Sequence, residues 1–338
     1  MGTYDVAVFG AYGHTGRFVV AELRERGFGV LAVGRDETKL RGLPWPDVEI
    51  RQASVGDAGS LDRALAGADA VINAAGPFAD TAAPVIEAAL RAGIPYLDVA
   101  AELEANMDTF AEFRDRAEGA TVIPAMAFFG GLGDLMVTAA MGEWTSADEA
   151  HVAYALSSWH PTEGTRAAGR VSRERRDGKR IRFSGGRIER RDDALPELDW
   201  DFPAPLGTRA VLGEFTMADV VTVPSHLDIP EVTTYMTVNA AREVVTPETP
   251  TRAADGPSSQ EFVVDVVVRS GGEERRIVAR GQDIYAITAP LVVEAAERVL
   301  DGRTKATGVV SAGEIFDAAG FLAALAPRVT VEGFGVPV

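Results

Sequence analysis

The sequence predicts an α/β protein with a parallel-sheet domain first and then an α+β domain with a mostly antiparallel sheet. In the first ~130 residues, short apolar strands alternate with helical patterns at the spacing of βαβ units. After Trp144 the strand patterns become longer and alternate polar with apolar residues. A long amphipathic helix is predicted over 285–300. We therefore divide the chain into 1–128, 129–280 and a C-terminal helical segment, 281–338.

The first domain is predicted to contain six strands and four helices. The strands are expected at 4–10, 29–34, 48–53, 70–75, 96–100 and 121–126, and the helices at 15–27, 60–66, 82–92 and 103–117. These strands lack polar alternation, which indicates that both faces are buried, as in a parallel sheet covered by helices.

The second domain is predicted to be a sheet with one solvated face. Its strands are expected at 151–156, 180–183, 210–215, 233–238, 262–269 and 275–279. Residues 270–273 are predicted to form the hairpin turn between the last two strands, and 247–259 is predicted to be a loop.

Composition narrows the possible partners and cofactors. The 338 residues carry a formal charge of −17, which disfavours nucleic acid as a partner. There is no cysteine, and the four histidines lack metal-ligand spacing, so we expect neither disulfides nor a zinc site. We also expect no signal peptide and no membrane span, and hence a cytoplasmic protein.

A glycine-rich turn follows the first predicted strand and precedes the first helix. Its spacing is GxxGxxG, and its candidate cofactor-binding residues are Gly10, Tyr12, Gly13, His14, Thr15 and Gly16. Glycines at these places allow a tight turn, a close approach of backbone amides to a diphosphate, and close helix–strand packing. The free N–H groups of the helix N-terminus then favour an anion. The motif predicts a Rossmann-type dinucleotide site; the alternative is a purely structural turn.

The end of the second strand predicts the cofactor type. Arg35 stands where an acidic residue would bind the ribose of NAD, and an arginine there favours the 2′-phosphate of NADP(H). Lys39, one helical turn further on, is expected to assist. Asp36 keeps NAD open, and a solvated surface arginine is the other alternative.

The fourth strand leads into a loop of small residues that is also predicted to contact the cofactor. The candidates are Ala75, Gly76, Pro77 and Phe78, which follow Asn73. Small side chains let the backbone lie against a flat ribose. Phe78 is expected near the nicotinamide, with a core phenylalanine as the alternative.

Several stretches together resemble the saccharopine dehydrogenase-like NAD(P)-dependent oxidoreductases. They are GAYGHTGR at 10–17, VGRD at 33–36, VINAAGPF at 71–78, YLDVAAE at 96–102, AMAFFGGLGDL at 125–135 and GQDIYAITAPLVVEAA at 281–296. The resemblance implies a Rossmann domain, an antiparallel-sheet domain and a C-terminal helix that returns to the first domain. It also implies NAD(P)-dependent reduction, or the reverse oxidation, with imines or activated C=C bonds as acceptors in relatives of this short type.

Hydride transfer needs a proton donor near the nicotinamide, and three residues are candidate catalytic groups. Asp98 lies at the end of the fifth strand, His160 in a loop after a strand, and Tyr285 at the start of the last long helix. The alternatives are a helix cap for Asp98, a surface histidine and a packing tyrosine. Glu102 is more simply explained as a first-turn carboxylate on the helix that follows it.

The main hypothesis is an NADPH-dependent reductase of a small molecule. The alternatives are a non-catalytic NADP(H)-binding sensor or scaffold, and a dehydrogenase of an amino-acid-derived secondary amine. The basic residues from Arg170 to Arg180 can attract an acidic substrate but are more typical of a solvated helix face. We also expect a homodimer through the second domain, because the Val-rich strand 262–269 gives its sheet an apolar face and an edge to protect.

Overall fold

The computed structural model describes residues 4–252 and 256–333. Its first part is β1 (Asp5–Phe9), α1 (His14–Glu25), β2 (Gly29–Gly34), α2 (Glu37–Arg41), β3 (Glu49–Gln52), α3 (Ala58–Leu65), β4 (Ala70–Asn73), α4 (Phe78–Ala92), β5 (Tyr96–Asp98), α5 (Leu103–Phe113) and β6 (Thr121–Ile123). All six predicted strands and four predicted helices are present. Most of the strands end earlier than predicted, and the short helix α2 was not predicted.

The middle of the chain begins with a π-helical turn, Phe128–Leu132. It continues with α6 (Gly133–Met141), β7 (Glu149–Leu156), α7 (Glu163–Arg175), β8 (Arg180–Ser184), β9 (Arg187–Arg191), β10 (Glu197–Phe202), β11 (Gly207–Gly213), α8 (Asp219–Thr222), a 3-10 turn (Val223–Ser225), β12 (Glu231–Thr237), α9 (Val238–Val245), β13 (Glu261–Ser270) and β14 (Glu273–Gln282). The last segment contains α10 (Thr288–Leu300), β15 (Gly308–Val309), α11 (Ala312–Ile315), α12 (Ala318–Ala324) and β16 (Val329–Glu332).

The first sheet is entirely parallel, in the order β3-β2-β1-β4-β5-β6-β15. From β3 to β6 this is the 3-2-1-4-5-6 order of doubly wound dinucleotide-binding sheets. The strand order reverses between β1 and β4. In such sheets a ligand binds beyond the carboxyl ends of the strands at this switch point.

Both faces of the first sheet are buried, as the uninterrupted apolar strands predicted. Alternate residues such as Val6, Val8 and Ile72 face a core that includes α1 and α10. Their neighbours Ala7 and Val71 face a second core with α3 and α4.

The C-terminal helix returns to the first domain, which confirms the prediction. Helix α10 packs beside α1, and Arg26, which directly follows α1, donates hydrogen bonds to Glu294 (2.6 Å) and Glu297 (2.9 Å). At the other end of α10, the backbone N–H of Phe128 donates to the Thr288 hydroxyl at 3.3 Å. The C-terminal segment, which was predicted to be helical, also contains two strands: β15 extends the first sheet and β16 extends the second.

The second sheet is mixed and mostly antiparallel. Its main path is β10-β11-β12-β7-β13-β14-β16, and the side strand β8 pairs with β12 and β9. The pair β12–β7 is parallel, and the pairs that β13 and β14 form are antiparallel. The predicted turn at 270–273 joins β13 to β14. Strands β9 and β10 were not predicted.

The hairpin β10–β11 covers part of the outer face of the second sheet. Trp200 and Phe202 pack with Ala153, Tyr235 and Val263 on that face. The Trp200 indole N–H donates to Asp265 at 2.9 Å. Apolar surface that led us to expect a dimer is therefore buried within the chain, and the homodimer stays a prediction. Within the described residues, none of the helices is long and apolar enough to cross a membrane.

Candidate functional site

The glycine turn lies at the switch point of the first sheet. Gly10 has φ +88°, a conformation that glycine adopts at little cost, and its N–H donates to the Val33 carbonyl at 2.8 Å. A Cβ on Gly10 would lie 2.8 Å from the Cβ of Ala75. The turn after β1 and the loop after β4 are thus in direct contact, as a shared binding crevice requires.

Helix α1 begins at this turn with an uncompensated N-terminus. Gly13 is its N-cap and provides no side-chain acceptor, and the first turn holds no acidic residue. The first N–H groups of an α-helix have no partner within the helix and favour an anion. The crevice therefore offers the donors that a cofactor diphosphate needs.

Arg35 directly follows β2, and Lys39 lies on α2. Both side chains are exposed, and the Arg35 guanidinium makes no hydrogen bond within 4–252 and 256–333. The Lys39 ammonium lies 5.7 Å from the centre of the Tyr12 ring. Asp36 is engaged as the N-cap of α2, where its carboxylate accepts the Lys39 N–H at 3.1 Å. The Lys39 ammonium lies 3.9 Å from the same carboxylate. Among the described residues, Arg35 is thus the cation of this pair that makes no hydrogen bond or ion pair.

The loop after β4 is held in place by hydrogen bonds to buried side chains. The buried Asn73 side chain accepts the Ala75 N–H at 3.0 Å and donates to Thr81 and Tyr96. The Thr81 hydroxyl donates to the Ala75 carbonyl at 2.6 Å. These contacts leave Ala75, Gly76 and Pro77 partly or fully exposed at the crevice, where the sequence predicted them.

Phe78 occupies a different environment from the rest of its loop. Its side chain is 7% exposed and packs with Val99, Ala100 and Ala105. Its N–H donates to the Glu102 carboxylate at 3.0 Å. The structure therefore favours the core role for Phe78. The expected role of Glu102 in the first turn of the following helix is wrong, because its carboxylate accepts the first N–H groups of α4 instead.

Asp98 is buried with both carboxylate oxygens engaged. One oxygen accepts the N–H groups of Ala100 (2.9 Å) and Ala125 (2.8 Å), and the other accepts the Tyr96 hydroxyl (2.9 Å). Burial raises the pKa of Asp98 to about 6, although these hydrogen bonds act in the opposite direction. This geometry favours a structural role, in which Asp98 links the ends of β5 and β6.

The other two catalytic candidates lie in different environments. His160 is exposed in the loop after β7 and makes no hydrogen bond within the described ranges. Tyr285 lies at the domain boundary, with its ring centre 5.2 Å from that of His14. Its hydroxyl accepts hydrogen bonds from the Trp159 indole (3.2 Å) and the Thr162 N–H (3.4 Å). Of the three candidates, Tyr285 is the one placed beside the glycine turn.

Buried aromatic rings form an apolar wall behind this boundary. Phe128 and Phe129 contact each other, and both contact the ring of Tyr154. Trp159 packs against Phe129 at 5.2 Å between ring centres. Water-excluding walls of this kind strengthen electrostatic interactions at a reacting centre.

Comparisons with known proteins agree with this geometry. Residues 10–121 match the model of a family described as NAD(P)H-binding. Apo histidine-tagged saccharopine dehydrogenase (L-Glu forming) from Saccharomyces cerevisiae superposes with a TM-score of 0.66, over 97% of this chain and 99% of that chain, at 11% identity. A probable mitochondrial saccharopine dehydrogenase-like oxidoreductase of Arabidopsis thaliana is 32% identical over 144 residues, 37% of this chain.

The chain has the fold of saccharopine dehydrogenase, and part of its sequence is similar to a saccharopine dehydrogenase-like oxidoreductase. A lipid droplet localized protein of Caenorhabditis elegans is also similar, with 33% identity over 116 residues, 30% of this chain. The matched stretches span 32% and 27% of these two curated relatives. At 11% identity, the likeness to the yeast enzyme shows the fold.

The basic run after Arg170 connects the two domains. Helix α7 was expected to be a solvated basic face, and most of it is exposed. Its C-terminal end, however, contacts α5 of the first domain. Arg175 pairs with Asp108 at 2.6 Å, and the Ser172 hydroxyl donates to Glu104 at 2.5 Å.

Two residues of this boundary were missed by sequence reasoning. Asp283, within the GQDIY stretch, accepts the N–H groups of Tyr285 and Ala286 at 3.1 Å each. Its other oxygen accepts Arg252 at 2.5 Å, and Arg252 in turn donates to His14 at 3.2 Å. The resemblance included Asp283, but nothing in the Pro- and Thr-rich loop indicated Arg252.

A buried carboxyl lies behind the aromatic wall. Asp219 accepts the Tyr154 hydroxyl at 2.8 Å, and its other oxygen is buried without a hydrogen bond in the described part of the chain. Burial raises the pKa of Asp219 to about 7, despite the hydrogen bond from Tyr154. The folded protein therefore holds this proton more tightly than the unfolded chain does.

We expect Asp219→Asn to flatten the pH dependence of stability. In the wild type, the contribution of this group to the free energy of unfolding falls as pH rises from about 4 to about 7, by roughly 1–4 kcal/mol. Asparagine retains the acceptor for Tyr154 and does not titrate. Thermal unfolding of both proteins from pH 5 to 8 measures the difference. Asp199→Asn, on exposed β10, is the control; equal slopes for wild type and Asp219→Asn would contradict this expectation.

Proposed function

We propose that this protein is an NADPH-dependent oxidoreductase that transfers a hydride to a C=N or activated C=C bond of a small molecule. The observation that supports the cofactor preference is the exposed Arg35 directly after β2. Arg35 is available there, whereas Asp36 caps α2. A guanidinium matches the geometry of a phosphate, which supports the 2′-phosphate of NADPH as its ligand.

The rest of the crevice supports a dinucleotide of this kind. The N-terminus of α1 offers free amides without a competing carboxylate. The exposed backbone of Ala75 to Pro77 offers a flat surface for a ribose. When bound, the nicotinamide would supply the hydride, and the aromatic wall around Phe129 would keep water away from the reacting centre.

We expect Arg35→Ala to weaken NADPH binding roughly 10- to 100-fold at low salt, because a charge-assisted contact is worth ~1.5–3 kcal/mol. The affinity for NADH, which lacks the phosphate, should hardly change. Fluorescence titration of both cofactors into wild type and variant measures this. Arg41→Ala removes an exposed arginine of the neighbouring helix α2 and is the matched control.

Two results would count against the cofactor assignment. Equal losses for NADPH and NADH would mean that Arg35 supports the loop and does not bind the phosphate. A wild-type preference for NADH would make Asp36 the ribose ligand. The reaction class is tested by following NADPH absorbance in the presence of imines and enones, and the reverse direction by adding secondary amines with NADP+.

A further inference from the structure

We propose that Arg252, from the second domain, is a ligand of the cofactor diphosphate bound at the glycine turn. This inference rests on the proposed function, because it concerns the same dinucleotide site. The main evidence is that Arg252 contacts His14, the first residue of α1, across the boundary between the two domains. Its Nε donates to His14 Nε2 at 3.2 Å, although the two residues are 238 positions apart.

The guanidinium is held in place and still has donors to offer. Asp283 accepts its Nη2 at 2.5 Å, and the Gly256 carbonyl accepts the same nitrogen at 3.1 Å. Its Nη1 makes no hydrogen bond to residues 4–252 or 256–333. A held arginine loses less conformational entropy when it binds a phosphate than a free one does.

The charges around Arg252 favour an anion at this place. The guanidinium lies beside the positive end of the α1 dipole, and the first turn of that helix holds no acidic side chain. Burial and the nearby Arg252 both lower the pKa of His14. Asp283 is the carboxylate paired with this arginine, and its two oxygens also accept backbone N–H groups. A diphosphate would be stabilised by both the guanidinium and the helix amides.

His14 provides a second indication of a ligand. Because its Nε2 accepts from Arg252, its proton is assigned to Nδ1. That Nδ1 atom is buried and has no acceptor among the described residues. A buried donor without an acceptor is costly, and an anionic oxygen at the turn would satisfy it.

The test compares Arg252→Ala and Arg252→Lys with wild type in titrations of NADPH, NADH and adenosine 2′-monophosphate. We expect Arg252→Ala to weaken NADPH and NADH by the same factor, roughly 10- to 100-fold, since both carry the diphosphate. Adenosine 2′-monophosphate, which lacks it, should bind as to wild type. Arg252→Lys should give a smaller loss, because it retains the charge but not the planar donor geometry.

Each outcome separates this inference from the proposed function. Unchanged cofactor affinities in Arg252→Ala would mean that Arg252 only joins the two domains. A loss of affinity confined to NADPH would place Arg252 at the 2′-phosphate. Either result overturns this inference and leaves the proposed function standing. A wild type that binds neither NADPH nor NADH overturns the proposed function. Asp283 keeps its backbone donors in both variants, and their thermal unfolding checks the fold. Arg209→Ala, on exposed β11, is the control.

Discussion

Gly16→Ala is expected to reduce NADPH binding by at least about 100-fold and to destabilise the protein by about 1–3 kcal/mol or more. A Cβ on Gly16 would overlap the carbonyl oxygen of Gly10 and lie 2.9 Å from its carbonyl carbon. Both atoms belong to the backbone, so no side-chain rotation relieves the overlap. Helix α1 must then move away from β1, and its free amides move with it.

The control for Gly16→Ala is the same substitution on another helix. On α3, a Cβ at Gly59 would meet the Arg63 guanidinium at 3.3 Å and the Asp57 carboxylate at 3.4 Å. Gly59→Ala should therefore be neutral or stabilising by up to ~1 kcal/mol, as expected from helix propensity. Thermal unfolding and cofactor titration of both variants provide the measurement. A Gly16→Ala protein with wild-type affinity and stability would show that the turn does not require this close packing.

The first domain could be predicted almost completely because its signals are local. Each βαβ unit repeats a short apolar strand, a turn and an amphipathic helix, and the glycine turn stands between the first strand and helix. Helix α2 was not predicted, and α4 was predicted to start at 82 but starts at Phe78. The N-terminus of α4 is capped by Glu102, a residue 24 positions away, and a non-local cap leaves no sign in the local pattern.

The second domain was harder to predict because its outer strands are polar. Strands β9 (RIERR) and β10 (ELDWDF) hold few apolar residues, so their alternation is weak. Their places depend on pairing with β8 and β11. Such strands are defined by their partners in the sheet more than by their own residues.

In the candidate site, too, the local features could be predicted and the contacts between distant segments could not. Its cofactor side follows from residues next to one another in the chain, and most of these lie at the crevice as predicted. The contact between Arg252, His14 and Asp283 joins three distant segments. The chemical roles of Asp98 and Tyr285 depend on which donors surround their oxygens, and only the folded chain sets these.

Asp98→Ala is expected to destabilise the protein by about 3–5 kcal/mol, because it leaves two backbone N–H groups and a tyrosine hydroxyl buried without acceptors. These donors belong to Ala100, Ala125 and Tyr96. Tyr96 in turn accepts from Asn73, which orders the loop at Ala75. Cofactor affinity should fall together with stability, since the loop after β4 loses its support.

Asp98→Asn separates the structural role from a catalytic one. Its amide oxygen can still accept from Ala100 and Ala125, and only the partner of the Tyr96 hydroxyl is lost, so we expect a cost of about 1–2 kcal/mol. Because the pKa of Asp98 is raised to about 6, its contribution to wild-type stability falls as pH rises from about 4 to about 6. The asparagine variant should lack this slope in thermal unfolding. If Asp98→Asn instead keeps wild-type stability and cofactor affinity but abolishes hydride transfer, Asp98 is the proton donor and the structural role is wrong.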